Sequence, residues 1–139
     1  MADEINSCLT QLQSDLETAL VSATADKVYG FRVLPDKLAK SVSLTYLGGL
    51  PRAGTVGGAG AYYDFAAVLV AQHDNSESGL EAAEQALNAI EKIIHDTIAP
   101  SRNSLWRKAE FTRPSTRPPT PPELVGSRYG EVYFRLHLK

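Results

Sequence analysis

The sequence predicts an α+β fold: a mainly antiparallel sheet of about five strands with two helices packed on one face. Three observations carry this. Two segments repeat apolar residues every three or four positions, five others carry strand-like composition or strict alternation, and together they follow in the order α-β-β-β-α-β-β. A chain of 139 residues suits a single domain spanning 1–139, and it shows no internal repeat.

The first helix is expected from Ala2 to about Thr24, where Ile5, Cys8, Leu9, Leu12, Leu16, Ala19 and Leu20 form one apolar stripe. Asp3 and Glu4 in its first turn complement the helix dipole. Val28 to Leu34 reads as a short strand stopped by Pro35. Ser41 to Leu47 gives the plainest period-two signal, Val42, Leu44 and Tyr46 alternating with Ser41, Ser43 and Thr45, so one face is expected to be buried and the other wet. Ala61 to Gln72 is the next strand and the partner of a long hairpin, with Tyr63, Phe65, Ala67 and Leu69 on one side. The second helix is expected from about Gly79 to Ile98, with Leu80, Ala83, Leu87, Ile90, Ile94 and Ile98 as its stripe, Ser76 near its N-cap and Pro100 closing it. Ser104 to Phe111 and Tyr129 to Leu138 complete the set, the last alternating Val132, Phe134, Leu136 and Leu138 with Glu131, Tyr133, Arg135 and His137.

Two segments do not fit regular elements. Residues 48–60 hold six glycines, which lose much backbone entropy on ordering and offer nothing to bury, so a mobile hairpin loop is expected. Residues 112–127 form a proline-rich arm with five prolines between Pro114 and Pro122. Missing amide donors and a fixed φ favour an extended arm over a ladder strand there.

Composition excludes several classes. With 43% hydrophobic and 22% charged residues the chain is an ordinary folded domain and not a disordered one. Its net charge of -2 argues against a globally basic nucleic-acid binder. No window reaches the roughly 18 apolar residues of a membrane span, and the acid-peppered start is unlike a signal peptide, so a cytoplasmic site of synthesis is expected. Cys8 is the single cysteine and reads as a small hydrophobe on a buried helix face.

No chemical motif survives inspection. The glycines of the hairpin loop are not in G-x-G-x-x-G order, no Gly-Lys-Ser/Thr follows, and a strand follows them instead of a helix N-terminus. His73, His95 and His137 show no His-x-x-x-His or Cys-x-x-Cys ligand spacing. No catalytic residue, cofactor or metal is therefore expected. Asp64, between Tyr63 and Phe65 in a strand, is the one acid that stands out, with a wet-face position or an arginine partner as the simpler account.

Charge is unevenly distributed. Residues 1–99 carry six Lys+Arg against thirteen Asp+Glu, and residues 100–139 carry eight against three. Such polarity suits a head-to-tail assembly, in which unlike surfaces of neighbours meet. The alternative is that the two signs interleave within one folded subunit.

The length, the opening acidic helix, the hairpin SVSLTYLGGL…AYYDFAAVLVAQ, the helix GLEAAEQALNAIEKIIHDTI and the closing strand YGEVYFRLHLK together resemble the tail terminator and tail-completion proteins of long-tailed bacteriophages. The proline-rich segment departs from that pattern. The resemblance implies a non-catalytic virion protein, assembled in the host cytoplasm and located at the head-proximal end of the tail. It implies a ring, usually hexameric, that caps the tail tube and meets a neck or connector protein while DNA passes through the lumen. Interface residues are then expected in the two loops and beside them: Arg52 in the glycine loop, Arg113 and Arg117 in the arm, and Arg128. Another neck component, such as a head-tail connector or head-closure protein, is the nearest alternative. A small ligand-binding α+β domain with its site under the glycine loop is the alternative from a different class.

Overall fold

The computed structural model describes residues 2–20, 27–29, 40–50, 60–73, 76–118 and 126–139. The chain runs α1 (Ala2–Leu20), β1 (Lys27–Tyr29), β2 (Lys40–Leu50), β3 (Tyr62–Gln72), α2 (Glu77–Ile98), β4 (Trp106–Phe111) and β5 (Ser127–Leu138). This is the expected α+β order. The strands form one sheet in the order β1-β2-β3-β5-β4. β2, β3, β5 and β4 pair antiparallel with each successive neighbour, and the three-residue β1 is parallel to β2 at one edge.

Both helices lie on one face. α1 supplies Cys8, Leu9, Leu12, Leu16 and Leu20 to the core, and α2 supplies Ala83, Leu87, Ile90, Ile94 and Ile98. The sheet answers with Val42 and Leu44 from β2, Tyr63, Phe65, Ala67 and Leu69 from β3, and Val132, Phe134, Leu136 and Leu138 from β5. Phe65 and Phe134, opposite each other in the β3–β5 register, stack at 5.8 Å between ring centroids. Trp106 is fully buried, and its indole N–H donates to Ser101 Oγ at 3.1 Å, so the polar end of the ring is satisfied. Ser76 is the N-cap of α2, its hydroxyl accepting from the Gly79 amide at 3.0 Å.

Besides shifts of one or two residues at the starts of β1, β2, β3, α2 and β4, three features differ from the sequence expectation. β2 continues past Leu47 to Leu50, although Gly48 and Gly49 read as the start of the loop. The reason is a register shift between Tyr46 and Gly48: Gly48 takes φ +124°, and a Cβ on Gly49 would collide with the Tyr62 carbonyl oxygen. Glycine here permits the ladder to bend and continue. The second difference is that the far face of β2 is not uniformly wet, since Ser41 and Ser43 are buried. β2 lies inside the sheet with β1 and β3 on either side, and short hydroxyl side chains are shadowed there. Ser41 Oγ has no partner among the described residues. The third is that β5 begins at Ser127, two residues before the expected Tyr129, so the arm ends one residue earlier. The expected end of the first helix at 21–24, the strand at 30–34, and residues 51–59 and 119–125 of the two loops lie outside the described residues.

Candidate interaction surfaces

The face of the sheet opposite the helices is built from cross-strand rows. Tyr62 stands opposite His137, Asp64 opposite Arg135, Ala66 opposite Tyr133, Val68 opposite Glu131 and Val70 opposite Tyr129. β4 adds Lys108 beside His137 and Glu110 beside Arg135. Strand alternation dictates this, because the residues between them face the helices.

Asp64 meets Arg135 in a two-pronged pair, Nε to Oδ1 at 2.8 Å and Nη2 to Oδ2 at 3.1 Å. The Arg135 guanidinium also lies 3.7 Å from the Tyr62 ring centroid. The hydrogen bonds to Asp64 raise the Arg135 pKa further above its ordinary value. His137 Nε2 is 2.8 Å from Glu110 Oε1, and this contact holds the Glu110 carboxyl below the usual carboxylate range. Arg113 lies over Tyr133 at 3.6 Å. Burial, with the Glu131 carboxylate beside them, pushes the Tyr129 and Tyr133 phenols up. On the helix side of the sheet, burial and then Glu4 push the Tyr63 phenol up to about 12.

A second cluster ties the proline arm to α2. Beyond Phe111, where β4 ends opposite Phe134, the chain continues along the edge of β5. Thr116 and Glu131 there exchange two backbone hydrogen bonds, each 3.0 Å. Arg117 then reaches over Gly130 to α2. Its Nη1 donates to Glu91 Oε1 at 3.0 Å, its Nη2 to Asn88 Oδ1 at 3.0 Å and its Nε to Glu84 Oε1 at 3.3 Å. Glu84, Asn88 and Glu91 follow one another at spacings of four and three, which places them in one line on the helix. Arg128 Nη2 donates to the other Glu84 oxygen at 3.1 Å. His95, also on α2, stacks on Phe111 at 3.9 Å between centroids, and its Nε2 lies 3.5 Å from Ser115 Oγ.

Of the four arginines expected at an interface, Arg52 lies outside the described residues. Arg117 and Arg128 are engaged with α2 of their own chain, and Arg113 stacks on Tyr133 of the open face. The charge division between the two parts of the sequence is correspondingly interleaved in the fold: Arg117, Arg128 and Arg135 pair with Glu84, Glu91 and Asp64. These cations are not a free basic surface, and the head-to-tail attraction expected from the sequence loses its main carriers. Asp64 has the arginine partner that the sequence suggested. The Arg117 seat was not legible, because the line Glu84, Asn88, Glu91 is visible in the sequence but its partner lies far along the chain.

Among the described residues no group of three or more His, Cys, Asp and Glu side chains converges as a metal site would. No helix of the described residues is long and apolar enough to cross a membrane. The fold and its surfaces define a two-layer α+β domain, with helices on one side of the sheet and an aromatic and ionic face on the other. No protein-family model and no curated protein matches the chain.

Proposed function

We propose that this chain is a structural virion protein, a tail terminator whose copies form a ring at the head-proximal end of the tail tube. The observation that supports this most is the one-sided layering. A heterologous ring contact needs two unlike surfaces on each subunit. Here one side is the polar outer surface of two helices, and the other is a sheet face carrying Tyr62, Tyr129, Tyr133, Arg113 and Arg135. Tyrosine and arginine are the residue types that anchor protein interfaces. The ionisable groups on this face fit packing better than proton transfer, since Asp64 and Glu110 are each engaged by a basic partner across the strands.

The outer edge of β4, which has no strand partner among the described residues, contributes little to such a contact. Arg107 and Lys108 are exposed on it, and the register shifts between Trp106 and Lys108, two features that discourage strand addition. The contact surface is therefore the open face and the adjoining hairpin end, where Leu47 and Leu50 are 48% and 37% exposed.

Light scattering and negative-stain microscopy of the purified protein, alone and mixed with tails, test the proposal. Closed rings, or rings that form only on tube ends, are expected, and Tyr62→Asp with Tyr133→Asp should abolish them while leaving the subunit folded. A protein that stays monomeric at all concentrations and ignores tube ends overturns the reading.

A further inference from the structure

The arm, residues 112–118, is held along the edge of β5 by few and separate contacts. Among the described residues its ladder contact is the single Thr116–Glu131 pair. Between Phe111, opposite Phe134, and Thr116, opposite Glu131, it uses four residues where β5 uses two, so the chain has slack on that side. Pro114 and Pro118 have no amide to donate, which keeps the pairing from spreading. Other attachments of this arm are side-chain contacts near the surface: Arg113 on the Tyr133 ring, Ser115 at His95, and Arg117, 25% exposed, with Glu84 35% and Glu91 25%.

The seat is nevertheless shaped for this sequence. Glu84, Asn88 and Glu91 each accept from a different nitrogen of one guanidinium. Gly130 leaves the space that guanidinium needs, since a Cβ there would lie 3.0 Å from Arg117 Nη1 and 3.4 Å from its Cδ. Tyr133 receives Arg113 and Glu131 receives Thr116. A segment must carry an arginine one residue after the bridged position to satisfy all of these, and the same arm on another copy does so.

We infer that this arm is an exchangeable strap, and that the seat on β5 and α2 takes the strap of a second copy of this chain in place of its own. Weakly held segments open without global unfolding. A released strap leaves unpaired backbone on β5 and, on α2, Asn88, Glu91 and the Glu84 oxygen that Arg128 does not hold, all of which the neighbour's strap satisfies with no new chemistry. The inference does not rest on the ring: a dimer and a ring use the same exchange.

Cross-linking distinguishes the copies. Thr116 and Glu131 form a hydrogen-bonded antiparallel pair, whose Cα separation of about 5.5 Å suits a disulfide. A chain with Thr116→Cys is mixed with a chain with Glu131→Cys, oxidised mildly and alkylated before denaturation. Linked heterodimer is expected, with a yield that rises with protein concentration and a rate that rises in about 1 M salt, where charge pairs are screened. The double variant in one chain, at high dilution, closes within itself and shows that the pair is oxidisable. If that control closes and the mixture gives no heterodimer, or if each single variant alone links as readily as the mixture, exchange is refuted. The unaltered protein supplies a second readout in hydrogen exchange of the Glu131 amide, which donates to Thr116. Exchange through local opening, faster than at the neighbouring β3–β5 amides and accelerated by salt, is expected. Exchange only through global unfolding overturns the strap as a releasable element.

Discussion

The two faces of the sheet use the same strands and opposite logic. On the helix side Phe65, Leu69, Val132, Phe134 and Leu136 are buried whatever their partner, because apolar contact is non-directional and roughly proportional to area. On the other side specific groups meet across the ladder: Asp64 with Arg135 and Tyr62 with His137 directly opposite, and Glu110 with His137 on the diagonal. One face tolerates exchange among similar shapes, and the other depends on register, since a one-residue slip would separate every pair. The first face holds the subunit together. The second gives its surface a fixed chemical pattern.

The contrast is sharpest at adjacent residues of β5. Phe134→Ala removes a fully buried ring stacked on Phe65 and is expected to cost about 3–5 kcal/mol. Tyr133→Ala, one residue away on the other face, removes a half-exposed ring and the Arg113 contact, and is expected to cost about 1 kcal/mol. Urea unfolding of both variants measures the difference. Equal losses would mean that the outer face is as much core as the inner one.

Tyr63 is the helix-side residue on which the contrast can be tested by pH. Its ring is buried and its hydroxyl donates weakly to Glu4 Oε1 at 3.4 Å. The phenol is pushed from 10.0 up to about 12, mainly by burial. A group whose folded pKa lies above its unfolded value contributes stability that is complete below the unfolded pKa and is lost as pH rises through the folded one. Stability is therefore expected to fall between pH 10 and about 12. Tyr63→Phe, which keeps the ring and removes the proton, should lose that component of the alkaline decline. An unchanged decline assigns it to other groups.

What was legible in the sequence follows the same division. The helix-side residues were read correctly in β2, β3 and β5 and, apart from Leu80, in both helices, because periodicity is a local signal and burial is its direct consequence. Leu80, expected on the α2 stripe, sits in the first turn of that helix and is 38% exposed. Boundaries were misread where a long-range fact decided them. Gly48 and Gly49 resemble loop, yet they belong to a ladder because Tyr62 passes close by. The proline arm resembles free chain, yet Arg117 is held by three side chains of α2. Two of the arginines marked as interface candidates, Arg117 and Arg128, show what composition leaves out: a positive segment and a negative segment in one chain pair with each other when the fold brings them together. Sheet order was equally illegible, since nothing local places β5 between β3 and β4.

A smaller effect is expected from the Asp64–Arg135 pair. Its two hydrogen bonds are short, but the side chains are 28% and 29% exposed, so solvent screening reduces the pair to about 1 kcal/mol. A double-mutant cycle with Asp64→Asn and Arg135→Gln measures the coupling directly. Coupling near zero would make the pair a consequence of register and not a contributor to it.

The smallest expected effect belongs to Glu110 and His137 on the same face. Glu110 is held below its ordinary value of 4.5, first by the hydrogen bond to His137 and then by the nearby positive charges. A carboxyl whose pKa is lower folded than unfolded contributes stability that is complete above the unfolded value and is lost as pH falls through the folded one. The contribution of Glu110 should thus be intact at neutral pH and disappear as the pH falls below its ordinary value of 4.5. Many carboxyls titrate in that range, so the parent curve alone identifies none of them. The difference between the parent and Glu110→Gln does, because Gln keeps the shape and a hydrogen-bonding oxygen while removing the titration. The two unfolding midpoints should differ most at neutral pH and converge in acid. A gap that stays constant down to pH 3 would mean that Glu110 stabilises by shape and neutral hydrogen bonding, and that the outer face relies less on charge than its row of matched partners implies.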